Sequence, residues 1–194
     1  MISNLKIFGL RKKISNIAKN TDSSLRLLVE EKGRKITKET IAFIKFVEDQ
    51  AYPDEMKLMQ EDKTIKDIAD TYDVDVSQIT IARNKDWYII YAENDDCIEI
   101  CDIASLPSRD VDASRQEIHD YIVGVLNVKA HNSHKSVILC AKEDTSYKMI
   151  QRMVRNGEYE VIKDISTTWD STSAIKMHDL VLEPKIKGGS SSKK

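Results

Sequence analysis

The spacing of apolar residues divides the chain into short strands and helices. Ser24–Glu30 (SLRLLVE) has the pattern of a strand, and Lys38–Gln50 carries Ile41, Phe43, Ile44, Phe46 and Val47 along one broad helical face. Pro53 suits the first position of a further helical segment, where its missing N–H would have no partner anyway. Thr64 with Asp67 has the form of a capping box and predicts a short helix to about Tyr72. Gln78–Arg83, Trp87–Ala92 and Cys97–Ala104 then read as strands, separated by Asn84-Lys85-Asp86 and Asn94-Asp95-Asp96. Asn and Asp bond to the backbone two residues on and so favour tight turns, which predicts an antiparallel meander.

Ser114 with Glu117 has the form of a second capping box, opening a helix with Ile118, Tyr121, Ile122 and Val125 inward. Ser136–Ala141 (SVILCA) is a continuous apolar run, the pattern of a strand covered on both faces. The intervening helix predicts that it runs parallel beside Cys97–Ala104. Thr145–Asn156 reads as a helix with Met149, Ile150, Met153 and Val154 inward and Gly157 as its stop. Glu158–Ile165 and Ile175–Leu182 are the last strands. The fold class is α/β: a mixed sheet of about seven strands flanked by about four helices.

With 194 residues, 41% hydrophobic, six Gly and three Pro, the chain is neither collagen-like nor wholly disordered, and it suffices for one domain. No apolar run approaches the ~20 residues of a membrane helix. Three cysteines without a CxxC argue against a disulfide framework and for a reducing, cytoplasmic setting. The net charge of −2 conceals an asymmetry, because residues 1–36 carry +6 and residues 183–194 carry +3, leaving −11 between them. Such a body repels phosphate and disfavours nucleic acid.

Three regions follow: a basic extension over 1–22, a domain over 23–184 and a flexible basic tail over 185–194. The first 21 residues contain no acid, and Leu5, Phe8, Ile14, Ile17 and Ala18 can share one side of a helix. That segment fits a membrane-surface helix, an organelle-targeting sequence, a contact for a protein partner, or a helix packed on its own domain.

The element order resembles the GNAT fold of acyl-CoA N-acyltransferases over roughly Ser24 to Glu183. SVILCAKEDTSYKMIQRMVRNGEYEVIKD resembles that family's fifth strand, the helix after it and the sixth strand, and IKMHDLVLEP resembles its last strand. The resemblance implies transfer of an acetyl group from acetyl-CoA to an amine. The acidic body favours a cationic acceptor, such as a polyamine, an aminoglycoside-like molecule or a lysine side chain.

The family's pyrophosphate loop, Gln/Arg-x-x-Gly-x-Gly/Ala, holds the anion with backbone N–H groups and a helix N-terminus. In LPSRDVDASRQE the best match sets Arg109 first, Asp112 at the middle glycine and Ser114 at the last small position. Ser105, Arg109, Ser114 and Arg115 are the candidates the resemblance gives for acetyl-CoA binding. Asp110 and Asp112 oppose a pyrophosphate by about 1 kcal/mol or more in a partly wet site, so weak binding is expected. The alternative is a GNAT-like scaffold without catalysis, binding a protein partner through its basic ends.

Many members of the family protonate the departing thiolate with a tyrosine four residues before the glycine. Here that position is Met153, and Tyr147 and Tyr159 are the neighbouring tyrosines, of which Tyr147 is the catalytic candidate. A general base would be a carboxylate on the fourth strand, Glu99 or Asp102. A regular strand places these two on opposite faces: Glu99 with Cys97 and Cys101, Asp102 with Ile98 and Ile100.

His131 and His134 have a spacing found in zinc sites, and His119 and His178 stand alone, but nothing supplies a full ligand set and no metal is expected. Cys101 and Cys140 lie in apolar strands, where a thiol is usually inert. Trp87, Tyr88 and Tyr91 read as core residues, while Trp169 lies in the polar run STTWDSTS between the last two strands.

Overall fold

Two antiparallel groups of strands meet along one short parallel seam. A computed structural model describes residues 28–51, 64–107, 111–168 and 176–185. Its strands are β1 (Val29–Lys32), β2 (Ile79–Arg83), β3 (Trp87–Glu93), β4 (Cys97–Ser105), β5 (Ser136–Lys142), β6 (Tyr159–Thr168) and β7 (Lys176–Pro184). They form one seven-stranded sheet in the order β1-β2-β3-β4-β5-β7-β6. Every neighbouring pair is antiparallel except β4 and β5, as the intervening helix predicts. The helices are α1 (Lys38–Ala51), α2 (Ile65–Thr71), α3 (Val111–Tyr121), α4 (Asn127–Asn132) and α5 (Lys148–Arg155). A wide π turn, Ile122–Leu126, joins α3 to α4, and another, Glu143–Tyr147, precedes α5.

Local chemistry accounts for most of these boundaries. Asn84 Oδ1 accepts from the backbone N–H groups of Asp86 and Trp87 at 2.7 and 2.9 Å, and Asn94 Oδ1 does the same for Asp96 and Cys97 at 3.0 and 2.8 Å. Thr64 and Asp67 form the reciprocal cap of α2, with bonds of 2.6 and 3.3 Å. After α5, Gly157 takes φ +71°, and the N–H groups of Gly157 and Glu158 close the helix on Val154 and Met153 at 2.9 and 3.0 Å.

The sheet separates two cores. On the face covered by α3, α4 and α5 lie Trp87, Ile89, Ile98, Ile100, Leu126 and Met153. On the face covered by α1 and α2 lie Ile44, Val47, Ile68, Tyr88, Ile90 and Ala104. Each large apolar side chain so buried contributes about 1.5–3 kcal/mol.

Several expectations need correction. The first described strand is Val29–Lys32, which runs past the expected end at Glu30, while residues 24–27 of the expected strand lie outside the described residues. The expected capping box at Ser114 does not form, because α3 starts at Val111 and Ser114 is buried inside it. Glu117 bonds elsewhere: its Oε2 accepts from Trp87 Nε1 at 2.9 Å and from Asn84 Nδ2 at 2.8 Å. His134 closes α4 in the left-handed region at φ +55°. The readings on residues 1–22, on Pro53, on Arg109 and Asp110, on Trp169 and on residues 186–194 lie outside the described residues.

Candidate active site where two strands part

The β4–β5 ladder runs from Cys97 opposite Ser136 to Ile100 opposite Leu139, and stops there. β4 continues to Ser105 and β5 to Lys142, so their C-terminal ends run on outside that ladder. At the same point β4 slips against β3: Ile90 pairs with Asp102 and Tyr91 with Ile100, which leaves Cys101 as the extra residue of a bulge. A bulge bends its strand and sharpens the twist, and this one sits where the pairing of β4 with β5 ends. Beyond Ile100 and Leu139 the two strands are unpaired with each other, and this unpaired stretch, edged by the backbone of Cys101–Ser105, is termed the wedge.

The bulge also alters which side chains share a face. Ile98 and Ile100 belong to the core under α3, whereas Cys101 and Ala104 pack with the core under α1 and α2. Asp102 joins the second group, because Oδ2 accepts from the hydroxyl of Tyr88, a buried residue of that core, at 2.6 Å. Glu99, Cys101 and Asp102 therefore lie on one face, contrary to the strict alternation expected of β4.

These groups differ in freedom. Asp102 is held twice, since Oδ1 also accepts from its neighbour Ile103 N–H at 2.8 Å. The Tyr88 hydroxyl lies 3.4 Å from Glu48 Oε1, and burial above all pushes its pKa well above the ordinary tyrosine range. Glu99 is half-buried, burial alone raises its carboxyl, and no hydrogen bond to that carboxylate is found among the described residues. Burial pushes the Cys101 thiol up to about 12 and the exposed Cys140 up to about 11, so both are poor nucleophiles.

Ser105, half-buried, ends β4, and the next helix, α3, begins at Val111. Asp112 stands in its first turn, its side chain 96% exposed, 3.6 Å from the equally outlying Arg115. Ser114 faces inward and is buried. Residues of the expected phosphate-loop pattern from Asp112 onward are thus helical.

The remaining candidates lie on other elements. Met153 is in the core, and Tyr159 is buried with its hydroxyl on Asn127 Oδ1. Tyr147 donates to Asp164 Oδ2 at 2.7 Å and stacks on His178. No spacing rule points to that last grouping, because Asp164 and His178 meet only through the β6–β7 register. Among the described residues no three or more His, Cys, Asp and Glu side chains are grouped to hold a metal, and no helix is long and apolar enough to cross a membrane.

No protein family model and no curated protein matches the chain. Solved structures do. The ribosomal-protein-S18-alanine N-acetyltransferase from Escherichia coli aligns over 86% of this chain and 99% of its own, at 8% identity and TM-score 0.54. A putative acetyltransferase of the GNAT family from Desulfovibrio desulfuricans covers 81% of this chain and 98% of its own, at 11% identity and TM-score 0.50. Escherichia coli ElaA covers 80% and 97%, again at 11% identity and TM-score 0.50. At such identities the likeness is one of fold.

Proposed function

For a chain with the fold of the GNAT acetyltransferases, we propose the activity of an N-acyltransferase that moves an acetyl group from acetyl-CoA to an amine. The observation that carries this reading is the end of the β4–β5 pairing at the Cys101 bulge, beside the Glu99 carboxylate, which has no hydrogen-bond partner among the described residues.

Acetyl-CoA would supply the acyl group in activated, thioester form. The edge of Cys101–Ser105 suits the amides of a pantetheine arm, which would lie along it like an added strand. The first turn of α3, with Ser105, Arg109 and Arg115, would meet the pyrophosphate, since helix N-terminal N–H groups and the helix dipole favour anions. Buried Ser114 would keep the helix closely packed behind that turn. Asp112 opposes the pyrophosphate and Arg115 offsets it only in part, so the fit is one of low affinity.

Glu99 takes the proton of the attacking amine. A carboxyl raised by burial is a better base for that purpose than one at its ordinary value. Asp102, held by Tyr88, fixes the bulge and takes no part in proton transfer. The charge of −11 over residues 37–182 favours a cationic acceptor, either a small polyamine-like molecule or a lysine side chain.

Asp112, together with Met153 at the family's tyrosine position, favours a second reading as a GNAT-like scaffold without catalysis. Residues 1–22 and 185–194 would then be its contacts with a protein partner. Thiol release from acetyl-CoA, followed with and without spermidine, separates the two. The transferase reading expects amine-dependent release, and a folded chain that releases none favours the scaffold.

A further inference from the structure

Tyr147, Asp164 and His178 form a cluster that the account above leaves unused. His178 stands on β7 opposite Ala141, in the part of β5 beyond its ladder with β4. Its Nδ1 lies 2.8 Å from Asp164 Oδ1 on β6, while Asp164 Oδ2 accepts from Tyr147 at 2.7 Å. The phenol lies flat on the imidazole, with ring centroids 3.6 Å apart and planes 5° from parallel. Burial pushes the Asp164 carboxyl up, but the hydrogen bonds from His178 and Tyr147 outweigh it and hold the group below the ordinary carboxylate range.

An ionised carboxylate only accepts hydrogen bonds, so Nδ1 carries a hydrogen toward Asp164. His178 Nε2 is buried with no partner among the described residues, on a side chain only 10% exposed. His178 stands on β7 between its two neighbouring strands, with Asp164 of β6 to one side and Ala141 of β5 to the other. A buried polar atom left unbonded is costly and calls for an explanation.

The geometry points to His178 as the proton donor to the sulfur that leaves the acyl group, with Asp164 and Tyr147 as positioning residues. This rests on the acyl-transfer reading. In its imidazolium form His178 presents Nε2–H toward the wedge. As the amine nitrogen bonds to the carbonyl carbon and the C–S bond breaks, the C–S electron pair goes to sulfur, which takes the Nε2 proton. The amine's proton goes to Glu99. The ring is left neutral with Nδ1–H on Asp164. Glu99 and His178 lie on opposite faces of the sheet, so the two protons are handled separately.

The test uses the full chain, spermidine as acceptor and two acyl donors. Acetyl-CoA has a basic leaving thiolate, whereas p-nitrophenyl thioacetate has an acidic thiol that departs without protonation. His178→Gln is expected to slow acetyl-CoA turnover on the order of 100-fold and to leave the aryl thioester nearly unaffected. Asp164→Asn is expected to show the same donor selectivity with a smaller loss. Equal losses with both donors would make His178 merely structural and overturn the proposal, while a wild-type chain inactive with both would overturn the transferase reading itself. A second readout needs no turnover: imidazole ¹⁵N spectra with CoA added. The His178 Nε2 resonance is expected to move while that of His131 stays. An unmoved His178 at a CoA concentration that shifts the Cys101–Ser105 amides would overturn the placement.

Discussion

The hydroxyl of Tyr88 donates to Oδ2 of Asp102 at 2.6 Å, and this bond ties β3 to the bulge at which the pairing of β4 with β5 ends. Of the two carboxylates the bulge brings to one face, it engages Asp102, while Glu99 has no hydrogen-bond partner among the described residues. Tyr88→Phe removes the donor from a part-buried carboxylate. A loss of about 1–3 kcal/mol is expected, measured by urea unfolding. An unchanged unfolding midpoint would mean that Asp102 is already satisfied by water.

Glu99 gives a pH signature. Burial raises its carboxyl, so the folded chain holds the proton to higher pH than the unfolded chain does. Over that window stability falls as pH rises, and above it the ionised group is a net cost. Glu99→Gln is therefore expected to raise the melting temperature at neutral pH and to leave it unchanged near about pH 3.5, where both states are protonated. The same variant loses amine-dependent transfer. Scanning fluorimetry across pH checks the first effect, and a variant less stable at neutral pH would contradict it.

Much of the fold was readable because local chemistry and tertiary packing agree. Asn84 and Asn94 make the turns their residue type favours, Thr64 caps α2, and Gly157 ends α5. The bulge was not readable: Cys97–Ala104 looks like one regular strand, and only its pairing with β3 shows that Cys101 is extra. The Ser114 box failed for a related reason, since Trp87 and Asn84, thirty or more positions away in sequence, claim Glu117. The Asp164–His178 pair depends on register alone, which no spacing rule provides.

Glu117 also gives a stability test. Glu117→Ala leaves the indole N–H of fully buried Trp87 without its acceptor and is expected to cost about 1–3 kcal/mol. Glu117→Gln keeps an acceptor oxygen and loses less. Unfolding followed by tryptophan emission measures both, and equal losses would show that the charge matters more than the hydrogen bond.

Asp112 bears on affinity. Calorimetry is expected to find acetyl-CoA binding in the millimolar range for the natural chain. Asp112→Gly would lengthen the list of effects, because the position is helical and glycine costs about 1 kcal/mol there. Asp112→Ala keeps the helix, removes the charge and is expected to tighten binding, while costing about 0.3–1 kcal/mol of helix-dipole stabilisation. No change in affinity would place the pyrophosphate away from this turn.

The most direct test of the parted strands as an acyl-CoA site is a backbone amide NMR titration of the full chain with acetyl-CoA. Weak binding is no obstacle to it. The account predicts saturable shifts in Cys101–Ser105, in Cys140 and Ala141, and in the first turn of α3, with β1 and β2 unmoved. Shifts confined to other elements, or none at millimolar acetyl-CoA, would contradict it.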